Sequence, residues 1–143
     1  STQEREMGQC IAAQAQPGAV IDAIGESSLK GLLALIDGAR AVIAPDSGPV
    51  HMANAMGTPT VGLFATTNPE RAGPYRWQDF VVNRYPEAVR TYLHKDPDTL
   101  SWGQRVRHPD AMSLIRADDV IDRLEALLAM PAPRKQTEFP DET

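Results

Sequence analysis

The chain reads as an α/β protein, with a Rossmann-like parallel sheet and helices on both faces. Three observations predict this. Short β-branched apolar runs alternate with segments of helical periodicity. Connections of that length between strands are crossovers, which make neighbouring strands parallel. Each run is closed by glycine or proline, at Pro17-Gly18, Gly38, Gly57-Thr58-Pro59 and elsewhere, as expected for elements that stop sharply.

In chain order, residues 3–15 carry Met7, Cys10, Ile11 and Ala15 at helical spacing, and the helix is expected to pack Cys10 on its apolar face. Residues 19–24 (Ala-Val-Ile-Asp-Ala-Ile) read as a first strand. Ser28 is placed to cap a helix carrying Leu29, Leu32, Leu33, Leu35 and Ile36, with Gly38 as its stop. Ala41–Ala44 is a buried strand. Asp46-Ser47-Gly48-Pro49 then forms a tight turn into a helix, because the fixed φ of Pro49 suits a first helical position. Thr60–Phe64 and Phe80–Val82 are two further strands, and residues 86–95 a short helix. Residues 117–129 close the series with a stripe of Val120, Ile121, Leu124, Leu127 and Leu128, and with Asp118 and Asp119 suited to the N-terminal end of the dipole. Residues 1–130 are expected to form one domain and 131–143 a disordered tail.

Composition narrows the function. With 143 residues the chain is long enough for a real core. A net charge of −5 argues against a nucleic-acid binder, whose footprint is basic. A single cysteine excludes a disulfide framework and a thiolate zinc site. His94 and His108 lack the spacing of metal ligands, so no metal site is expected. No apolar run approaches the roughly 20 residues of a membrane span, and the polar N-terminus is unlike a signal peptide. The expected compartment is therefore the cytoplasm.

In open parallel sheets ligands bind beyond the carboxyl ends of the strands. The turn after Ala41–Ala44 is the candidate site. A helix starting at Pro49 aims free N–H groups and its dipole at that space. Gly48 lets an anion approach the backbone, and Ser47 adds a hydroxyl. Asp46 would be repelled by phosphate and is better suited to accept hydrogen bonds from sugar hydroxyls. Thr66 and Thr67 leave the next strand at the same edge. Ser28, Lys30 and His51 are further candidate contacts. The same four residues also make a sound β-turn with no ligand at all. Neither a P-loop nor a dinucleotide fingerprint is present. Residues 66–113 hold both tryptophans, all three tyrosines and seven basic side chains. Such a segment is either a functional lid and partner surface or an irregular sheet edge.

The blocks Ser28–Ile36, Ala41–Ala53 (with Asp46-Ser47-Gly48-Pro49-Val50-His51) and Gly57–Phe64 resemble the C-terminal half of family 9 glycosyltransferases, the ADP-heptose:lipopolysaccharide heptosyltransferases. The resemblance is good over 19–75 and thin beyond. It implies one half of a GT-B architecture, the donor-binding half, lacking its first strand. It implies that Ser47 and Gly48, with Pro49 and His51 beside them, meet the donor diphosphate and that Asp46 meets the transferred sugar. It implies an inverting transfer from an ADP-heptose-like nucleotide-sugar to a lipid-linked or oligosaccharide acceptor, without a resident cofactor. The general base would come from an N-terminal Rossmann half, so none is assigned here. The implied location is cytoplasmic, peripheral to the inner membrane. An exposed sheet edge could also pair two copies into a homodimer. This sequence departs from the family at Ala65-Thr66-Thr67, where Gly-Pro-Thr is usual. The alternatives are a non-catalytic nucleotide or sugar-phosphate binding module and half of a nucleotide-sugar epimerase.

Overall fold

The computed structural model describes residues 2–131. They divide into two compact units, one ending at Leu35 and the other beginning at Ile36. Apart from Pro131, the tail expected at 131–143 lies outside the described residues.

The first unit opens with α1 (Thr2–Gln14) and leads into α2 (Leu29–Gly38), which ends in the second unit. Ser28 caps α2, its Oγ accepting the Gly31 N–H at 3.1 Å. The strand expected at 19–24 is absent; the segment is irregular, between turns at 17–19 and 24–26. The Asp22 carboxylate takes the Ile24 N–H at 3.0 Å, and the Glu26 N–H turns back to the Ala23 carbonyl. A side chain that binds its own backbone competes with a ladder, and no strand among the described residues pairs with this one. Cys10 is also not packed as expected: it is exposed, with its Sγ accepting from Gln14 Nε2 at 3.3 Å.

The second unit is built on a three-stranded parallel sheet in the order β1 (Val42–Pro45), β2 (Thr60–Phe64), β3 (Val82–Asn83). The register sets Ala44 beside Gly62 and Pro45 beside Leu63, then Phe64 beside Asn83. α3 (Gly48–Met56) joins β1 to β2 and lies against both. It stops at Gly57, whose φ of 73° is the left-handed conformation a side chain disfavours, and whose N–H reaches back to the Ala53 and Asn54 carbonyls. The Thr58 hydroxyl donates to the Ile36 carbonyl at 3.1 Å, fixing the end of α2 to the start of β2.

β2 is covered on both faces, as a central strand must be. Val61 and Leu63 point to α6 (Ala117–Leu128), where they join Val82, Val120, Leu124 and Leu127. Thr60, Gly62 and Phe64 alternate to the other face. Phe64 is 1% exposed and folds its ring over Gly62, leaving no room there for a Cβ. The last strand lies slightly later than its predicted range, because Gln78–Phe80 form a tight helical turn that carries Phe80 into the α6 cluster.

Much of residues 66–113 folds around a hydrophobic core of its own. After α4 (Pro69–Ala72), α5 (Tyr85–Ala88) runs on through a widened helical turn over Val89–Leu93 and ends at His94, so the helix expected at 86–95 begins one residue early. Tyr85, Ala88, Val89, Val106 and Ala111 form a second hydrophobic core, with Tyr92, Leu93, Leu100 and Leu114 packed around it. The Tyr85 hydroxyl donates to the Gln104 carbonyl at 2.8 Å, and burial pushes this phenol above its ordinary value.

Arg84 and Asp119 join β3's exit to the first turn of α6 at 2.5 Å. The Asp119 carboxylate also takes the Arg116 N–H. The hydrogen bond from Arg84 comes first among the causes that hold Asp119 below its ordinary 3.8. A carboxylate lowered by folding contributes stability above its unfolded value, and this fades as pH falls through the folded value. In acid titrations followed by circular dichroism, Asp119→Asn is therefore expected to be less stable than the parent near neutrality, and the difference to vanish as pH drops below 3.8. A difference independent of pH would show that the pair does not act through its charge.

Candidate functional site at the carboxyl edge of the sheet

β1 and β2 are parallel neighbours, so the segments leaving them emerge at one edge. Asp46 and Ser47 leave β1 there and enter α3 directly. Ala65, Thr66 and Thr67 leave β2 beside them. Arg84 leaves β3 at the same edge, its N–H donating to the Phe64 carbonyl at 2.7 Å. Topology thus brings Asp46, Ser47, Gly48, Pro49, His51, Thr66 and Thr67 to one side of the sheet.

The turn is shaped by its residues. Ser47 has extended dihedrals (φ −154°, ψ 172°) and Pro49 occupies the first turn of α3. A serine at this position normally accepts an N–H from the helix. Here the Ser47 hydroxyl donates instead to the Pro45 carbonyl at 3.1 Å, and no side chain caps α3. The helix therefore presents its N-terminal dipole and the backbone of Gly48 uncapped. Gly48 does not have a positive φ, and a Cβ there would meet only the Met52 methyl, at 3.6 Å. The chain's own packing does not demand a glycine at this point.

His51 turns its Nε2 toward Asp46 Oδ1, at 3.4 Å. Asp46 is mostly buried and the imidazole is half-exposed, so the histidine sits over a largely enclosed carboxylate. Thr66 is half-buried and its carbonyl accepts the Val106 N–H at 2.9 Å. Thr67 is 3% exposed, and its hydroxyl has no hydrogen-bond partner among the described residues. A buried, unpaired hydroxyl costs about 1–3 kcal/mol. Ser28 and Lys30 belong to the first unit, where Ser28 serves as the cap of α2.

The pairing of Arg84 with Asp119 was not predicted from sequence: 35 residues separate them and neither lies in a motif. No group of three or more His, Cys, Asp or Glu side chains is placed to hold a metal ion among the described residues. No helix among them is long and apolar enough to cross a membrane.

The second unit is a parallel α/β unit with an uncapped Ser-Gly-Pro helix entry beyond the sheet and a carboxylate beside it, the edge at which open α/β sheets bind ligands. Residues 1–96 match the family described as glycosyltransferase family 9 (heptosyltransferase). The chain belongs to that family. It is 38% identical over 103 residues to the lipopolysaccharide core heptosyltransferase OpsX of Haemophilus influenzae, covering 72% of this chain and 30% of that protein. It is 32% identical over 137 residues to lipopolysaccharide heptosyltransferase 1 of Pseudomonas aeruginosa, covering 92% and 38%. A third relative, lipopolysaccharide heptosyltransferase 3 of Escherichia coli, is 32% identical over 118 residues, covering 82% and 32%. The chain spans about a third of the length of these curated relatives. No solved structure matches it significantly.

Proposed function

We propose that this chain is the donor-binding half of a GT-B glycosyltransferase that moves a heptose-like sugar from a nucleotide-sugar to a lipopolysaccharide-type acceptor. The observation that carries this is the uncapped entry of α3 at Ser47-Gly48-Pro49, beside Asp46, in a chain of family 9. The donor's diphosphate would lie against the Gly48 backbone, where the helix dipole opposes its charge. Asp46, held by His51, would accept hydrogen bonds from hydroxyls of the sugar being moved.

In the reaction, an acceptor hydroxyl oxygen attacks the anomeric carbon from the face opposite the leaving group. The bond from that carbon to the diphosphate oxygen breaks, and its electron pair leaves with the nucleotide. The N-terminus of α3 stabilises the charge that grows on the leaving diphosphate. The hydroxyl proton passes to a general base from the N-terminal half, outside this chain.

Calorimetric titration separates the two roles. ADP is expected to bind more tightly than inorganic phosphate. Asp46→Ala is expected to leave ADP binding unchanged or tighter, since a repelling charge is gone, and to weaken an ADP-sugar about tenfold. A folded chain that binds no nucleoside diphosphate would overturn the donor-half reading.

A further inference from the structure

The second unit contains a cleft of about 620 Å³ whose lining includes Arg71, Tyr92, Gln104, Arg105, Arg107 and His108. None of its lining residues is acidic, in a chain whose net charge is −5. Arg71, Arg105 and Arg107 form no ion pair among the described residues, whereas Arg5 and Arg84 do. Three guanidinium groups line one cleft, and an anion with several acceptor oxygens can be held there by forked hydrogen bonds.

The cleft is built on rigid parts. Val106 is 1% exposed in the second core, while Arg105 and Arg107 on either side of it are exposed. The Val106 N–H donates to the Thr66 carbonyl, fastening this segment to the loop that leaves β2. Tyr92 stacks on His108 with ring centroids 3.9 Å apart and 12° between planes, and its hydroxyl donates to the Asp110 carbonyl. The Asp110 N–H donates to His108 Nδ1 at 3.2 Å, which places the hydrogen of the neutral ring on Nε2 as a donor. The carboxylate facing this histidine is that of Asp110, 3.8 Å from Nδ1.

We propose that this cleft is a second anion site, separate from the β1–α3 turn, that binds a phosphomonoester carried on a sugar. Arg105 and Arg107 grip the phosphate oxygens, Arg71 completes the charge, and the Tyr92–His108 stack and the Gln104 amide border the carbohydrate. The site stands independently of the donor-half reading.

The test is an NMR titration of the 143-residue chain, following backbone amides and arginine Nε–Hε groups, with glucose-6-phosphate, inorganic phosphate and ADP as separate probes. Glucose-6-phosphate is expected to move Tyr92, Arg105 and Arg107, and to bind with the same affinity when ADP is saturating. Inorganic phosphate is expected to move the same residues with about tenfold weaker affinity; equal affinity would overturn the carbohydrate part of the proposal. Arg105→Gln with Arg107→Gln is expected to weaken glucose-6-phosphate at least about tenfold without lowering the melting temperature, because both side chains are exposed. Absence of any response at the arginines, or displacement of glucose-6-phosphate by ADP, would overturn a separate site. Failure of the donor reading is scored elsewhere in the same spectra, at Ser47 and Gly48 with ADP.

Discussion

Gly48→Ala is expected to weaken nucleoside diphosphate binding by about tenfold to a hundredfold while leaving the fold intact. The two halves of that result have separate causes. The new Cβ meets only the Met52 methyl, at 3.6 Å, an ordinary contact, and Gly48 has no positive φ for a side chain to strain. Alanine in a helix is favoured over glycine by about 0.5–1 kcal/mol, so the melting temperature should hold or rise slightly. The anion loses instead. A methyl group on the bare backbone of the α3 entry stands where a phosphate oxygen must come close to the N–H groups. Loss of a charge-assisted hydrogen bond is worth about 1.5–3 kcal/mol, which converts to the stated range. Calorimetry against ADP and a melting curve on the same sample check both halves. Unchanged affinity would mean that the diphosphate does not use this backbone.

Phe64→Ala is expected to do the reverse, with the largest effect on stability of any change considered. The ring is 1% exposed, lies over Gly62 and ends the strand that both helical layers cover. Truncating a buried phenylalanine costs about 3–5 kcal/mol, part of it from the cavity left behind. Total stabilities run to about 5–15 kcal/mol, so the variant should sit near its unfolding threshold. A urea titration should show a much lower midpoint with a similar slope. A loss below about 1 kcal/mol would mean that neighbouring residues collapse into the space, contrary to the packing described.

How much of this was legible follows from where each signal lies. β2 and α3 are readable because their signals are local: Thr60–Phe64 is a short apolar run behind Gly57-Thr58-Pro59, and α3 lies between Pro49 and Gly57. α6 is readable from its apolar stripe. The Asp46-Ser47-Gly48-Pro49 turn could be placed at a sheet edge because one strand precedes it and one helix follows. Residues 19–24 have the composition of a strand, but a strand needs a neighbour and Asp22 diverts a backbone donor. The second core escaped detection because its members come from a segment with little periodicity: Tyr85 meets Gln104, and Val106 joins Val89 only after the chain has turned back. The basic cleft has the same origin. Arg71, Arg105 and Arg107 converge through folding, although the excess of basic and aromatic residues in that segment was visible. The Ser47 hydroxyl illustrates a finer limit: the residue type suggested a donor to a ligand, whereas its partner is the Pro45 carbonyl.

A donor half must hold a nucleotide diphosphate at the entry of α3. An amide NMR titration of the chain with ADP, alongside UDP, GDP and inorganic phosphate, tests it most directly. Shifts centred on Ser47, Gly48 and His51 are expected, larger for ADP than for phosphate and lost in Gly48→Ala. Well-dispersed spectra in which those amides stay still under every nucleotide would contradict it.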